Sequence, residues 1–278
     1  MALAAPAADF DARFKWFTTS SALPAADAQR RVTGTPTLDH SADLRLLLTE
    51  DIGPFRIEIH HTTAWMYGDS VGLDGAPQTT LDQSPDTDAR RIMALTWDIS
   101  QGRKQRALHR FDRFAVEYRS DRTGVTVGRQ AVSWGSGLAF NPLDLFNPFA
   151  PTTVDTDYKS GDDIVLIERL LPDGGDLQIL GVGRRADDRV DADASSFAVK
   201  WRGFVGTTEV EALAARHVGD DVYGLMVRVP VGGALVRMDL MSTYAGEENE
   251  RFISGLINAD DSFSLFGRMT YVFGEYFH

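Results

Sequence analysis

The chain has 278 residues, of which 43% are hydrophobic and 24% charged, and its formal net charge is −12. A mean hydropathy of −0.19 excludes a bundle of transmembrane helices, because each helix needs about 20 consecutive apolar residues. The acidic balance argues against a nucleic-acid partner, and the absence of cysteine fits an oxidising envelope compartment.

The amino terminus, residues 1–8, consists mainly of alanine and other small residues. Such residues end a secretory signal, although no basic region or apolar core precedes them. We interpret this stretch as the remnant of a signal peptide, with a flexible alanine-rich terminus as the alternative. Residues 9–278 are predicted to form a single β-barrel domain.

From residue 10 onward, apolar and charged side chains alternate in about a dozen stretches of roughly ten residues. The apolar residues of the first stretch are Phe10, Ala12, Phe14 and Trp16, and Arg13 and Lys15 lie between them. A period of two is the side-chain period of a β-strand, so each stretch has one apolar and one charged face. The pattern predicts an all-β fold, an antiparallel up-and-down transmembrane β-barrel with lipid outside and water inside.

The second and third predicted strands, 41–50 and 55–67, continue this pattern and end in aromatic residues that suit a membrane interface. The later predicted strands are 108–119, 125–134, 163–171, 177–183, 196–204, 208–217, 222–229, 234–244, 251–259 and 268–277. Residues 92–99 either begin the strand at 108 early or form a separate segment.

This gives thirteen strands, within a range of 12–14. Single-chain bacterial barrels have an even number, and the last strand ends without a stop signal, so we expect truncation from a larger barrel. Long connections are predicted at 18–40, 68–90, 135–162 and 184–195. They alternate with short ones over the first two thirds of the chain, as extracellular loops alternate with periplasmic turns.

Three stretches around the longest connection carry a recognisable motif. They are Gly128-Arg-Gln followed by Trp134-Gly135, the segment Phe140–Pro148, and Asp157-Tyr-Lys-Ser-Gly-Asp162. Together with the ending Gly274–His278, this segment resembles a family of porin-like proteobacterial outer-membrane proteins. The resemblance implies an outer-membrane barrel with a transport role and identifies no substrate.

The loop Asn141–Pro151 is not a central strand, because its three prolines remove hydrogen-bond donors from the ladder. Its residues Leu143, Leu145, Phe146 and Phe149 need a place to be buried. A loop folded into the barrel mouth, as a constriction within residues 135–162, would bury them and present Asp144 to the pore. The alternative is an extracellular lid without influence on permeation.

Two sets of site residues follow from the alternation and the motif. The predicted lumen or constriction residues are Asp144, Asp155, Asp157, Lys159, Asp162, Arg129, Arg113, Arg45, Glu58, Arg237 and Asp239. The predicted lipid-facing residues are Phe14, Trp16, Leu44, Leu46, Ile57, Ile59, Trp65 and Met238. Arg129 needs a local bulge to face the lumen, because Val127, two residues before it, is predicted on the same face of the strand and looks lipid-facing.

These expectations amount to an outer-membrane porin-like channel for passive or solute-specific diffusion of small polar molecules. Its partners would be outer-membrane lipids, the barrel-assembly machinery and an unidentified polar solute. The charged rows either line a channel or pair across the lumen and close it. The alternatives are therefore a structural or adhesive barrel with a plugged lumen and a soluble envelope β-protein that binds lipid or glycan. We expect no catalysis, cofactor or metal, since the sequence holds no nucleophile elbow and no usual metal-ligand spacing.

Overall fold

The structure is a computed structural model that describes residues 8–71, 87–149, 157–246 and 248–278. The chain divides into two compact units. Unit 1 comprises Met1–Val116 and Phe149–Gly161, and unit 2 comprises Glu117–Pro148 and Asp162–His278. Within the described ranges, no helix has the length and apolar character needed to cross a membrane.

Strands dominate the described residues. They are β1 (Asp9–Ser21), β2 (Thr37–Ile52), β3 (Phe55–Gly68), β4 (Thr96–Gln101), β5 (Gln105–Arg119), β6 (Thr123–Gln130), β7 (Asp162–Leu170), β8 (Asp176–Val182), β9 (Arg185–Ala186), β10 (Arg189–Val190), β11 (Ser196–Val205), β12 (Thr208–His217), β13 (Asp220–Val231), β14 (Ala234–Ala245), β15 (Glu250–Leu265) and β16 (Arg268–Phe277). A four-residue helix, α1 (Arg30–Thr33), and a 3-10 turn at Thr87–Ala89 lie in connections.

Among the described residues, thirteen strands follow one another in a single antiparallel sheet, in the order β1-β2-β3-β5-β6-β7-β8-β11-β12-β13-β14-β15-β16. The predicted all-β, up-and-down architecture is therefore confirmed, and its thirteen strands correspond one to one with this path. The hairpin β9–β10 is a separate two-stranded sheet. β4 pairs with β5 as a strand of its own, so the idea that residues 92–99 begin β5 early is wrong.

Short turns join every second pair of strands. Gly206 and Gly232 each adopt a φ of +62° in a tight turn, a conformation that glycine reaches without a steric cost. The long connections lie between β1 and β2, β3 and β4, β6 and β7, and β8 and β11. After β12 all connections are short, so the alternation of short and long ends there.

Each unit's sheet has two chemically different faces. In unit 1, Phe14 lies opposite Leu44, and the two side chains are 66% and 44% exposed. The intervening Asp43 and Arg45 are buried. In unit 2 the exposed residues include Tyr223 and Leu240, and the buried ones include Lys200 and Glu211. We call the face with the buried charges the inner face and the face with the exposed apolar residues the outer face.

This arrangement reverses that of a water-soluble sandwich. Burial of apolar surface is favourable in water, and burial of a charge is costly unless it is paired. An apolar outer face is instead what lipid contact requires, and charged inner faces suit a water-filled interior.

Strand β6 differs from the prediction at its end. It stops at Gln130 and not at Trp134, and its register with β7 runs without a shift from Thr123 to Gln130. The bulge expected beside Arg129 is therefore absent from this pairing. Arg129 is nevertheless only 1% exposed, because its guanidinium binds the buried Asp163 with Nε 2.9 Å from Oδ1.

Candidate functional site

The first part of the β6–β7 connection, residues 131–148, lies on the inner face of unit 2; we call it the inner loop. Leu143, fully buried, and Phe146 pack in one cluster with inner-face residues of β8, β11, β12 and β13. Those inner-face residues are Leu180, Val182, Ala198, Leu213, Ala215, Val222 and Met226. The Trp134 ring meets the Phe146 ring edge-on at 5.2 Å and completes the core.

A glycine makes this close approach possible. A Cβ added to Gly224 of β13 would lie 2.6 Å from Leu143 Cδ2 and 3.2 Å from Leu213 Cβ. A side chain at this position would displace Leu143 from its close packing. Leu143 therefore occupies the space that is left free because Gly224 has no side chain.

Three polar side chains hold the next stretch of the inner loop. Asp239 accepts hydrogen bonds from the backbone N–H of Ser136, at 2.7 Å, and from its hydroxyl. The Asn258 amide donates to the Ser136 carbonyl at 2.9 Å. Glu275 accepts from the backbone N–H groups of residues 138, 139 and 140, at 2.6, 3.0 and 2.8 Å. We call Asp239, Asn258 and Glu275 the clamp.

Two more predicted lumen residues lie in this region. Asp144 is a half-buried member of the inner loop. Arg237 lies on the inner face of β14, where it donates to Asn258 and Asp260 of β15. Asp239 and Arg237 are thus both on the inner face, and of these two, in the described part of the chain, it is Asp239 that bonds to the inner loop.

Towards the short turns, the inner face of unit 2 borders a cavity of about 510 Å³. Ion pairs line it. Lys200 Nζ lies 2.8 Å from Glu211 Oε2, and Arg228 pairs with the same carboxylate. Arg202 pairs with Asp176 at the cavity wall. The wall therefore carries alternating positive and negative groups within one cavity.

Unit 1 has a charged cluster on its inner face beside a small apolar cluster of Met66, Val71 and Leu108. Arg45 donates to Asp43 at 3.1 Å and to the Thr62 hydroxyl at 3.0 Å. Asp112 accepts from Thr62, and its Oδ1 lies 2.8 Å from Arg110 Nε. All five residues are buried, so the cluster depends on this mutual pairing.

Tyr158 covers this cluster. Its ring lies beneath the guanidinium groups of Arg45 and Arg113, whose Cζ atoms are 3.8 and 4.8 Å from the ring centroid. Its hydroxyl is hydrogen-bonded to His60 Nδ1 at 2.7 Å, and Glu58 Oε1 lies 3.3 Å from the other ring nitrogen of His60. Burial raises the pKa of the Tyr158 hydroxyl, which therefore keeps its proton. A tyrosine ring stacked against two arginines is a cation–π anchor.

The neighbours of Tyr158 extend the anchor; we call residues 157–161 the Tyr158 segment. The buried Arg113 donates to the backbone carbonyl of Lys159. Asp157 Oδ2 accepts from Lys15 Nζ at 2.9 Å, and this bond holds the pKa of Asp157 below its usual range. The predicted lumen residue Asp155 lies outside the described residues.

Asp162 follows at the start of β7. It accepts from Arg184 Nη2 at 2.6 Å and is buried. Within unit 2, Asp162 thus pairs with Arg184, and Arg129 pairs with the neighbouring Asp163.

The predicted lipid-facing residues lie on the outer face. Phe14, Trp16, Leu44, Leu46 and Met238 are exposed, and Ile57, Ile59 and Trp65 are half-buried. Trp65 stacks on Tyr67 at 6.0 Å with nearly parallel rings and contacts Trp16 at 5.9 Å. This aromatic group near the long-connection ends of β1–β3 has the composition of an interfacial girdle.

Sequence reasoning missed several contacts of the site. Asp112 and Arg113 are consecutive in β5, yet Asp112 pairs with Arg45 and Arg113 lies near Glu58. Strict alternation would place two consecutive side chains on opposite faces of the strand. The motif that contains Tyr158 does not indicate what its ring contacts. The sequence around Glu275 gives no sign of its partners either, because they lie more than 130 residues away. Among the described residues, no group of three His, Asp or Glu side chains is arranged to hold a metal ion.

No family model matches the chain, and no curated protein sequence matches it significantly. Solved structures do match. OccAB4 of Acinetobacter baumannii aligns with a TM-score of 0.53 at 10% identity, over 97% of this chain and 67% of that one. The fold is that of a porin β-barrel.

Two further porins agree. A BenF-like porin from Pseudomonas fluorescens Pf-5 aligns with a TM-score of 0.51 at 12% identity, and OccK9 (OpdG) of Pseudomonas aeruginosa with 0.53 at 11%. Both alignments cover 97% of this chain and 66% of the porin. The chain thus spans about two thirds of the length of the porins that it resembles, and at these identities the likeness concerns the fold alone.

Proposed function

We propose that this protein is a porin-like channel of the bacterial outer membrane, used for passive or solute-specific diffusion of small polar molecules. The observation that carries the proposal is the division of the sheet into an apolar outer face and a charged inner face with a cavity of about 510 Å³. In a porin barrel the outer face contacts lipid and the inner face borders water.

Mixed charges along the inner face suit polar solutes. The Lys200–Glu211 and Arg202–Asp176 pairs offer donors and acceptors side by side at the cavity wall. Such rings of charged side chains set ion preference in pores. A solute would pass the inner loop and the Tyr158 segment and then follow these walls. Outer-membrane lipids and the barrel-assembly machinery are the proposed partners.

Single-channel recording tests the proposal. The full-length protein, refolded in detergent, is added to a planar lipid bilayer, and discrete current steps are expected. Recovery of the native protein in aqueous fractions without detergent would contradict the proposed lipid contact. That result would instead favour a soluble envelope protein.

A second candidate, a barrel plugged by its own loop, is favoured by one observation. The inner loop forms an apolar core on the inner face, with Leu143 and Phe146 almost completely buried. A plugged barrel would insert into the planar bilayer but conduct no ionic current. Replacing the inner-loop residues 137–147 by a short Gly-Ser linker would then produce conductance, whereas a channel would conduct before and after the replacement.

A further inference from the structure

We infer that Glu275 is the positioning residue that holds the inner loop against the wall and thereby sets the open width of the channel. This inference rests on the proposed function. It assigns a task to a side chain of the last strand, where neither the alternation nor the comparisons point to one.

The two halves of the inner loop are held by different forces. The half around Leu143 and Phe146 is buried against the apolar cluster. The half from Ser136 to Phe140 is not, since Leu138 and Phe140 are 45% and 39% exposed. Apart from the contact between the Phe140 and Phe277 rings, at 4.1 Å, the described contacts of this half are polar.

Glu275 makes the largest share of those polar contacts. Its Oε2 accepts from Leu138 N–H, and its Oε1 accepts from the N–H groups of Ala139 and Phe140. The Asn258 amide also donates to Oε2, at 3.2 Å, and so orients the carboxylate. Three successive N–H groups aimed at one anion form a backbone nest, and hydrogen bonds to an ionised acceptor are stronger than neutral ones.

The local sequence creates this nest. A Cβ on Gly137 would lie 1.7 Å from the carbonyl oxygen of Phe140, so only glycine permits the tight turn over 137–140. The turn points three N–H groups in one direction. Without a carboxylate facing them these donors lose their acceptor, and the ring contact between Phe140 and Phe277 is then the main contact that holds residues 138–140 on the wall. We therefore expect the turn to detach and to widen the passage beside it.

The substitution Glu275→Gln tests this inference. It keeps the shape of the side chain, removes its charge and places an amide donor against the loop donors. Asp260→Asn is the matched control, because Asp260 is an inner-face carboxylate of the neighbouring strand that binds Arg237 and not the loop. Glu275→Asp keeps the anion and should restore part of the effect.

Two readouts are needed, both on the full-length protein. The first is open-channel conductance, which we expect to rise in E275Q well above the change seen in D260N. The second is hydrogen–deuterium exchange of the amides of 138–140 in detergent. Loss of charged hydrogen bonds should speed this exchange by about tenfold or more in E275Q and leave it unchanged in D260N.

The outcomes separate the two proposals. A wild-type protein that is folded but never conducts contradicts the proposed function, whereas the exchange experiment still reports on the clamp. A conducting wild type with equal conductance in E275Q and D260N overturns the role of Glu275 in setting the width, even if exchange is faster. Unchanged exchange in E275Q overturns the clamp itself.

Discussion

Two stretches of the same connection dock onto the sheet by opposite chemistry. The inner loop inserts Leu143 and Phe146 into an apolar cluster of unit 2, whereas the Tyr158 segment lies on the buried charges of unit 1. Both the apolar cluster and the charged cluster lie on the inner face of their unit. The position of a residue on that face therefore does not determine whether its surroundings are apolar or charged.

The difference has a physical cause in the side chains beneath each stretch. In unit 2 the inner-face residues near the long-connection end are aliphatic, and Gly224 leaves room for a leucine. In unit 1 the residues beneath Tyr158 include Arg45, whose guanidinium is bonded to Asp43 and Thr62, so an aromatic ring that stacks on a cation suits this place. Substitutions that remove the contacts of one stretch and leave those of the other intact test this difference.

The largest effect is expected for Asp112→Ala. The substitution leaves Arg45 and Arg110 buried beside a missing carboxylate, and breaking a buried ion pair costs about 3–5 kcal/mol of unfolding free energy. Urea titration in detergent micelles measures the loss. Asp98→Ala, at an exposed pair with Arg106, is the control and should cost about 1 kcal/mol or less. Equal losses in both variants would show that the unit 1 cluster is not energetically distinct.

Leu143→Ala is expected to come next. It empties a fully buried site in the seat of the inner loop and should cost about 2–5 kcal/mol, as other buried leucines do. Faster proteolysis within 136–146 should accompany the loss, because the loop loses its apolar anchor. Leu138→Ala, at an exposed position of the same loop, should change neither property. A stable, protease-resistant L143A would mean that the clamp suffices without the apolar seat.

Tyr158→Phe should have a smaller effect on unit 1. It keeps the ring that contacts Arg45 and Arg113 and removes only the hydrogen bond to His60, worth about 0.5–1.5 kcal/mol. Tyr223→Phe on the exposed outer face is the matched control for loss of a phenol hydroxyl. A loss in Y158F as large as in Asp112→Ala would indicate that the hydroxyl and not the stacked ring anchors the segment.

The smallest effect concerns pH and the exposed Asp157–Lys15 pair. Because the pKa of Asp157 is lowered in the folded protein, the pair stabilises above the ordinary aspartate pKa, about 3.9, and this contribution is lost as pH falls through the lowered value. Wild type and Asp157→Asn should therefore differ slightly in thermal midpoint at pH 7 and converge below about pH 4. A difference that grows on acidification would contradict the sign of this linkage.

Much of the fold was predictable because one local property repeats along the chain. The alternation that separates Phe14 from Arg13 fixes the side-chain period, and the period fixes the strands and their two faces. The turns were predictable for a similar reason, since glycines such as Gly206 and Gly232 mark tight hairpins. The need to bury Leu143 and Phe146 likewise pointed to a folded-in loop.

The partners of that loop were not predictable. Lys200 and Ala198 lie on the same face of β11, two residues apart. Lys200 nevertheless lines the charged cavity, whereas Ala198 belongs to the apolar cluster. Strict alternation, which predicts Arg113 on the inner face, also missed its neighbour Asp112, because a local break in the period is set by packing against neighbouring strands.

The thirteen strands along the path of the large sheet and their apolar and charged faces follow from the sequence pattern, because they depend on neighbours two residues apart; the hairpin β9–β10 does not follow from it. The bonds from the N–H groups of 138–140 to Glu275 and the stacking of Tyr158 on Arg45 and Arg113 are visible only in the folded chain. Such contacts join residues more than 40 positions apart, and their geometry arises from the stacking of many strands, which no local pattern encodes.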